Sequence, residues 1–382
     1  MGMKIGIIGG GQLGRMFIQN GLNYGIQFHV LDPDPQAPCS KIAHRFVCAD
    51  RNDADAVFEL GKCCDVVTIE IENVSIDGLK RLEKEGVPVY PQPRVLELVR
   101  DKGLQKEFYQ NNGLPTADFA LVGSASEIAN HHDMIPVMQK LRVGGYDGRG
   151  VKPLKKADDI NGAFDEPSVL EKWVDFKTEL AVLVARNRDG QVKSYPVVEM
   201  VFNPEANLVE HLISPARIDI ETEVRARELA EQLITKLDMV GLLAVEMFMK
   251  EDGQVLINEI APRPHNSGHH TIEACFTSQY DQHLRAIMNW PLGHTVLRCA
   301  AAMANLLGEK GHSGPVKYHG LEKALALPGV YPHIYGKTHT KPFRKMGHVT
   351  ILGNTSVEAL ATARQLSGMI KVVSNGGEQD HQ

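Results

Sequence analysis

Two glutamates interrupt neighbouring apolar segments of the chain. Glu246 lies in the apolar run 242–248, and Glu259 lies in the run 255–260. The intervening residues 251–253 (Glu-Asp-Gly) have the composition of a hairpin turn, so we expect antiparallel strands that bring the two carboxylates together. Two carboxylates in one place repel each other unless a cation lies between them. The pattern therefore favours a Mg²⁺ site shared with nucleotide phosphates over two edge residues facing water.

A lysine and a glycine-rich segment follow one another earlier in the chain. Lys140 ends the apolar segment 135–140 and leads into residues 144–150, whose sequence is GGYDGRG. Glycines at this density do not suit a helix interior or a stable strand, so we expect a loop. A strand lysine beside such a loop suits a clamp on nucleotide phosphates, although a solvated lysine at a strand end is the alternative.

Two further segments carry polar side chains that could bind a nucleotide or a small anion. Residues 171–174 (Glu-Lys-Trp-Val) end an apolar strand, and Glu179 follows; in a nucleotide site they could contact adenine and ribose, and otherwise they are surface residues. Arg263, His265 and Asn266 lie between or beside prolines that stiffen the segment 261–271. Such groups can bind a small planar anion through directed hydrogen bonds. The histidines lack zinc-like spacing.

A glycine motif near the N-terminus resembles a dinucleotide-binding turn. Gly9, Gly11 and Gly14 follow a predicted strand and open a predicted helix, and Asp32 ends the next strand. Physically, these glycines only allow backbone N–H groups to approach an anion at a helix N-terminus. A phosphorylated sugar would satisfy that requirement as well as NAD, so the motif leaves both open.

The elements that must position these residues follow an α/β pattern. Strand and helix patterns alternate over residues 4–90, which indicates a parallel sheet, and a single charged helix is predicted over 94–112. Longer strands and a helix at 222–238 follow residue 179. Near the C-terminal end, Lys337, Arg344 and Lys345 form a cationic group whose glycine neighbours indicate a loop.

Composition excludes several classes of protein. The net charge of -6 over 382 residues gives no basic excess for nucleic acid, so an anionic substrate must meet local cations. No apolar run reaches the ~18 residues of a membrane span, and glycines interrupt the N-terminal apolar run before it could form a signal peptide. The six cysteines lack zinc-like spacing and indicate free thiols in a reducing compartment. We expect a cytoplasmic protein.

Five strings together carry a family resemblance. They are GGGQLGRM at 9–16, TIEIENV at 68–74, GGYDGRG at 144–150, NEIAPRPHNSGH at 258–269 and RKMGH at 344–348. With them the chain resembles the N5-carboxyaminoimidazole ribonucleotide synthase family over about residues 3–353. The family implies an ATP-grasp fold behind a Rossmann-like, parallel-sheet N-terminal domain. It also implies ATP-dependent carboxylation of 5-aminoimidazole ribonucleotide by bicarbonate, in purine biosynthesis, and it favours a homodimer.

The resemblance also assigns domains and site residues. It implies a substrate-binding domain over 1–110, a small ATP-grasp lid over 111–176, and a large subdomain with a C-terminal segment over 177–382. The implied ATP contacts are Lys102, Lys140, Gly145, Tyr146, Asp147, Gly148, Gly150, Glu171, Lys172, Trp173, Val174, Glu179, Asn258 and Glu259, and the implied Mg²⁺ ligands are Glu246 and Glu259. The implied ribonucleotide contacts are Gln12, Leu13, Glu72, Tyr146, Lys337 and Arg344, and the groups beside the reacting carboxyl are Arg149, Arg263, His265 and Asn266. Many relatives carry arginine at the position of Lys102.

Three alternatives remain open at this point. One is another ATP-grasp ligase, such as a formate-using ribonucleotide transformylase or a biotin carboxylase. An NAD-dependent dehydrogenase would use the first glycine motif but leaves Glu246, Glu259 and the GGYDGRG segment without a role. A nucleotide sensor without turnover leaves the proline-flanked polar segment without a role.

Overall fold

The computed structural model describes residues 2–145, 150–203 and 208–374. The first part is a five-stranded parallel sheet in the order β3-β2-β1-β4-β5. Its strands are β1 (Lys4–Ile8), β2 (Gln27–Asp32), β3 (Arg45–Cys48), β4 (Val66–Ile69) and β5 (Val89–Tyr90), and its helices are α1 (Gln12–Gly21), α2 (Ala54–Gly61) and α3 (Ile76–Lys84). The alternation in the sequence thus predicted this sheet correctly.

The single helix expected over 94–112 is wrong. The structure has two helices there, α4 (Pro93–Arg100) and α5 (Lys102–Asn111), separated by Asp101. Asp101 has extended dihedral angles (φ -114°, ψ 108°), and its carboxylate accepts hydrogen bonds from the N–H groups of Gly103 and Leu104. An aspartate in this role begins a new helix rather than continuing the old one.

A small antiparallel sheet follows, in the order β6-β9-β7-β8. Its strands are β6 (Phe119–Val122), β7 (Val137–Leu141), β8 (Val151–Leu154) and β9 (Ser168–Lys172), with the one-turn helix α6 (Ala125–Ile128) beside them. Lys140 lies on β7 and Glu171 on β9, and the two strands are directly paired.

A large antiparallel sheet contains most of the remaining strands. Within the described residues its order is β15-β14-β10-β12-β13-β16-β20-β18, and β11 pairs with β10. These strands are β10 (Thr178–Arg186), β11 (Val192–Ser194), β12 (Val198–Asn203), β13 (Leu208–Ser214), β14 (Gly241–Met249), β15 (Val255–Ala261), β16 (Ala300–Leu307), β18 (Val330–Ile334) and β20 (Lys345–Gly353). The C-terminal strands therefore extend the same sheet that carries Glu246 and Glu259.

The remaining elements cover this sheet and its edges. The helices are α7 (Ile220–Lys236), α8 (Thr271–Ala274), α9 (Gln279–Ile287), α10 (Leu321–Leu325) and α11 (Ser356–Met369), and a small sheet joins β17 (Gly314–His319) to β19 (His339–Thr340) and β21 (Lys371–Ser374). Among the described residues, no helix has the length and apolar character needed to cross a lipid bilayer.

The alternation of side chains along the strands determines which face of the large sheet carries the polar site residues. Leu180, Val182 and Val184 of β10 share one buried core with Ala226, Leu229 and Leu233 of α7 and with Leu243, Val245 and Met247 of β14. Because successive side chains of a strand point to opposite faces, Glu246 and Glu179 lie on the face away from α7.

Candidate active site

The β14–β15 hairpin places the two glutamates opposite each other. Glu246 and Glu259 are direct partners in the antiparallel register, as the sequence predicts. The register then shifts, because Met247 pairs with Ile257 and Asn258 is an extra residue in β15. This bulge places Ile257 and Ile260 in the core shared with α7, and Asn258 and Glu259 on the opposite face. One strand thus supplies two successive polar side chains to the same side of the sheet.

Lysines from two other elements meet these groups. Lys102, the first residue of α5, forms an ion pair with Glu259. Lys140 Nζ lies 3.0 Å from Glu171 Oε2 and 3.0 Å from Asn258 Oδ1. The helix, the small sheet and the large sheet therefore converge on one cleft, whose cations suit the phosphates of a nucleotide.

Lys106 is a member of this cleft that the sequence alone did not reveal. Its side chain is buried, with Nζ 3.4 Å from Glu171 Oε2, and it donates a hydrogen bond of 2.6 Å to Thr116 Oγ1. Burial lowers its pKa to about 8, although the carboxylate of Glu171 opposes that shift. The four-residue spacing of Lys102 and Lys106 puts both on one face of α5, which is the signal that could have identified it.

The two glutamates differ in electrostatic environment. Burial raises the pKa of Glu246, and the nearby carboxylates of Glu259 and Glu179 raise it further. Burial also opposes ionisation of Glu259, but Lys102 and Lys140 hold its pKa below the usual range. A carboxylate in the position of Glu246 is stabilised in its ionised form when a cation lies beside it.

This donor set fits a metal ion that is shared with phosphates. Within the described residues, no group of three or more His, Cys, Asp or Glu side chains is arranged to hold a metal ion alone. Two oxygen-donating carboxylates on one sheet face match the partial coordination that Mg²⁺ takes when nucleotide phosphates and water complete its shell.

The proline-flanked segment after β15 closes one side of the cleft. His265 Nε2 lies 3.6 Å from Glu246 Oε1, and Arg263 Nε lies 2.8 Å from Glu72 Oε1. Gln279 fixes the backbone of His265, since it accepts from the N–H (2.8 Å) and donates to the carbonyl (2.9 Å). Burial, with Arg263 and Lys345 nearby, lowers the pKa of His265 to about 3, so its imidazole is neutral at pH 7.

The N-terminal glycine motif already holds anions of the protein itself. The carboxylate of Glu70 accepts from Gly11 N–H and, at 2.7 Å, from Gly14 N–H, and Asp32 Oδ2 accepts from Gly10 N–H at 2.8 Å. A Cβ at Gly9 would lie 2.6 Å from the Glu70 side chain, and one at Gly11 would lie closer still. The glycines thus accommodate Glu70, a residue whose role the motif could not reveal because Glu70 is distant in sequence.

The expected ribonucleotide contacts lie near this turn. Gln12 and Leu13 begin α1, and Glu72 is the partner of Arg263. Thr338 Oγ1, next to Lys337, donates to Gln36 Oε1 at 3.1 Å, so the loop after β18 reaches the N-terminal domain. Lys337 Nζ donates to the Lys345 carbonyl (2.7 Å), and Arg344 Nη1 donates to the His339 carbonyl (2.7 Å). The last two contacts fix the cationic loop internally, and the Thr338 contact holds it against the N-terminal domain.

The remaining expected residues fall in two groups. Tyr146, Asp147, Gly148 and Arg149 lie outside the described residues, between Gly145 and Gly150. Lys172 ends β9, and Trp173 and Val174 follow it, whereas Glu179 lies on β10 of the large sheet. Glu171 is buried, and Trp173 is 38% exposed with Lys155 Nζ 5.5 Å from its ring centroid. Burial raises the pKa of Glu179 to about 7.

A small and a large antiparallel sheet that enclose a lysine-lined cleft define an ATP-grasp protein. The chain matches the ATP-grasp domain over residues 107–280, the ribonucleotide synthetase preATP-grasp domain over 2–100, and the phosphoribosylaminoimidazole carboxylase C-terminal domain over 301–362.

Solved structures give the particular family. A crystal structure of N5-carboxyaminoimidazole ribonucleotide synthetase from Thermotoga maritima is 43% identical, with a TM-score of 0.91 over 98% of this chain and 100% of that one. The enzyme from Aspergillus clavatus, in complex with ADP and 5-aminoimidazole ribonucleotide, is 35% identical, with a TM-score of 0.88 over 96% of this chain and 98% of that one. The chain belongs to the N5-carboxyaminoimidazole ribonucleotide synthase family.

Some relatives are longer. A chloroplastic phosphoribosylaminoimidazole carboxylase from Vigna aconitifolia is 38% identical over 92% of this chain, which spans 64% of the relative's length.

Proposed function

We propose that this protein joins bicarbonate to the amine of 5-aminoimidazole ribonucleotide at the expense of ATP, releasing ADP and phosphate. The observation that carries the proposal is the convergence of Lys102, Lys140, Glu246 and Glu259 on one sheet face, beside the neutral His265. The Aspergillus clavatus relative in complex with ADP and 5-aminoimidazole ribonucleotide supports it.

Bicarbonate is a poor electrophile, and this chemistry sets the task of the cleft. Phosphorylation by ATP turns bicarbonate into carboxyphosphate, which the amine then attacks with release of phosphate. Because carboxyphosphate hydrolyses readily, the enzyme must exclude water around it. Residues on the polar segment 261–271 and on the lysine-lined cleft would do so from opposite sides.

The ATP contacts are assigned to the small sheet and α5. Lys102 and Lys140 would exchange their present partners, Glu259 and Glu171, for phosphate oxygens. Glu171, Lys172, Trp173, Val174, Glu179 and Asn258 would hold the nucleoside, with backbone atoms after β9 facing the adenine. Gly145, Tyr146, Asp147, Gly148 and Gly150 are proposed to cover the phosphates.

Glu246 and Glu259 would hold Mg²⁺ together with the phosphates. When bound, the ion supplies positive charge that offsets the phosphates as they approach an oxyanion. The raised pKa of Glu246, caused by burial and by neighbouring carboxylates, is the property of this chain that a bound cation would relieve.

The polar segment is proposed to hold the reacting carboxyl group. Arg263, whose Nε lies 2.8 Å from Glu72 Oε1, presents its guanidinium there, and Arg149 is proposed to act with it. His265 is neutral, so it can exchange a hydrogen bond with bicarbonate without adding a charge. Asn266 begins the short 3-10 turn Asn266–Gly268 directly after it.

The ribonucleotide is assigned to the interface between the N-terminal turn and the late cationic loop. Gln12, Leu13, Glu72 and Tyr146 would contact the sugar and base, and Lys337 and Arg344 the 5′-phosphate. Charge-assisted hydrogen bonds to a phosphate dianion are strong and directional.

Arg344→Ala tests this assignment. We expect kcat/KM for the ribonucleotide to fall by roughly 30- to 1,000-fold, the cost of leaving a desolvated phosphate without its partner. The KM for ATP should hardly change. The dephosphorylated nucleoside should be a poor substrate for the wild type and little worse for Arg344→Ala. Arg364→Ala, an exposed arginine on α11, is the control.

Equal damage to nucleotide and nucleoside would contradict the phosphate assignment. The reaction itself is tested by ADP release with bicarbonate, with and without the ribonucleotide. Release that depends on formate, or that ignores the ribonucleotide, would favour another ATP-grasp ligase.

We also propose a homodimer in a reducing, cytoplasmic setting. All six cysteines are unbridged. Light scattering should give twice the chain mass of 42.1 kDa. Since a plant relative is chloroplastic, a fluorescent fusion is needed to test the location.

A further inference from the structure

Asp101 and Arg142 form a two-point ion pair at the edge of the cleft. Arg142 Nε donates to Asp101 Oδ1 at 2.9 Å, and Nη2 donates to Oδ2 at 2.6 Å. Asp101 directly precedes Lys102, and Arg142 follows Lys140 by two residues. Arg142 lies just beyond the end of β7, where the chain enters the glycine-rich segment. The pair therefore joins the two chain segments that carry the two proposed ATP lysines.

Backbone contacts make the same connection independently. Lys102 N–H donates to the Arg142 carbonyl at 2.9 Å, so the backbone of one lysine is fixed to the segment of the other. Arg142 N–H in turn donates to the Pro167 carbonyl at 3.0 Å, just before β9. The two segments are thus joined by both side-chain and main-chain hydrogen bonds at one junction.

Gly103 shows how closely the two segments approach. A Cβ at this position would lie 2.7 Å from Arg142 Nε and 3.1 Å from Asp101 Oδ1. Only glycine admits the guanidinium at this distance, which is shorter than any ordinary carbon contact. Asp101 Oδ1 also accepts from Gly103 N–H at 2.8 Å, so the same carboxylate begins α5 and holds Arg142.

We infer that the Asp101–Arg142 pair is a positioning device that sets Lys102 and Lys140 at a fixed separation for MgATP. The pair does not touch the reacting atoms. It acts by orienting the first turn of α5, from which Lys102 reaches Glu259, and the end of β7, from which Lys140 reaches Glu171 and Asn258. A displacement of about 1 Å at such contacts can cost on the order of 100-fold in rate.

The pair differs from an ordinary surface ion pair. The side chain of Arg142 is 29% exposed and that of Asp101 is 20% exposed. The two parallel hydrogen bonds also give the pair a directionality that a single contact lacks. The hydrogen bond to Asp101 raises the pKa of Arg142. Although burial opposes ionisation of Asp101, Arg142 and the N–H groups of α5 hold its pKa below the usual range.

Two conservative variants separate helix capping from positioning. Asp101→Asn keeps a good N-cap residue but removes the charge that Arg142 needs. Arg142→Lys keeps the charge but loses the two-point geometry. For both we expect the KM for MgATP to rise by about 10- to 100-fold, while the KM for the ribonucleotide changes by less than about twofold.

Glu199→Gln is the matched control, because it breaks another two-point pair. Glu199 accepts from Arg217 Nε at 2.9 Å and from Arg217 Nη2, on the face of the large sheet that packs on α7. It should lower the melting temperature and leave the KM for MgATP unchanged. If Asp101→Asn and Arg142→Lys behave like Glu199→Gln, the pair is only structural and the inference is wrong.

The inference rests on the proposed function for its kinetic readout, and calorimetry keeps the two apart. If the wild type releases no ADP with bicarbonate and the ribonucleotide, the proposed function fails. MgATP titration of wild type and both variants then still decides the inference. Weaker binding in both variants with an intact melting temperature supports it, and unchanged binding overturns it.

Discussion

The glycine turn before α1 and the cleft beside the β14–β15 hairpin both gather carboxylates around groups that bind anions. In the turn, backbone N–H groups of Gly10, Gly11 and Gly14 are saturated by Asp32 and Glu70. In the cleft, flexible lysine ammonium groups face the carboxylates instead. These three N–H groups are therefore unavailable to an external anion, whereas the lysines of the cleft can exchange their internal partners for one.

The difference shows that a phosphate-type glycine motif indicates only that an anion is bound, and not which anion. Buried N–H groups need a partner, and a carboxylate 56 residues away satisfies Gly14 as well as a phosphate would. A lysine that reaches its partner through a long side chain can release it without disturbing the backbone. The turn thus serves as a rigid platform, and the cleft as a binding site.

The largest expected effect is a loss of ADP release when Glu259 in the cleft is changed. Glu259→Gln removes a proposed Mg²⁺ ligand and the partner of Lys102, so ADP release should fall by at least about 100-fold with little change in melting temperature. Glu251→Gln, at an 80%-exposed side chain in the turn of the same hairpin, should leave turnover intact. More than a tenth of wild-type ADP release at saturating Mg²⁺ would contradict the metal assignment.

An intermediate effect is expected at the turn. Glu70→Gln places an amide NH₂ among N–H donors and should cost roughly 1–3 kcal/mol in the free energy of unfolding, measured with denaturant. Glu59→Gln on α2, whose side chain is 61% exposed, is the control. Calorimetry of the wild type with NAD or NADP should show no binding, while MgATP binds. Micromolar affinity for NAD would mean that the turn is open after all.

An effect of similar or smaller size, confined to acidic pH, concerns His283, which links the large sheet to the N-terminal sheet. Its Nδ1 accepts from Leu242 N–H (3.2 Å) in β14, so its Nε2–H can donate to Thr68 Oγ1 (2.9 Å) in β4. Burial lowers its pKa from 6.5 to about 3. Between these values the unfolded chain binds one proton more, so the stability present above pH 6.5 is lost as the pH falls.

The loss at His283 should approach about 1.4 kcal/mol per pH unit at most. Denaturant unfolding at pH 7 and pH 5 should therefore show a larger decrease for the wild type than for His283→Gln. Equal decreases would mean that His283 does not carry the pH dependence of this link.

The sequence predicted those parts of the site that depend on local pattern. The Glu246–Glu259 pair follows from apolar alternation around a short turn, and Lys140 follows from its strand and glycine-rich neighbour. Glu70 acts through Gly11 and Gly14, far along the chain, so its type and position gave no direct sign of its role. Lys106 pairs with the equally distant Glu171, and only its four-residue spacing from Lys102 pointed to it. The break at Asp101 has a local cause, its capping of Gly103 and Leu104, which the continuous polar pattern over 94–112 concealed.

Asn258, the extra residue in β15, makes this strand one residue longer than its pairing with β14 needs. Without Asn258, Ile257 and Ile260 would fall into ordinary alternation with Glu259 between them, and Glu259 would still face Glu246. The ladder would be uninterrupted, but Lys140 would lose its amide partner. The hairpin is thus one residue longer than its fold requires, and deletion of Asn258 should remove the contact with Lys140 while preserving the sheet. A substitution elsewhere in β15 only exchanges one side chain for another. The inserted Asn258 instead gives the strand a second polar side chain, beside Glu259, on the face of the cleft.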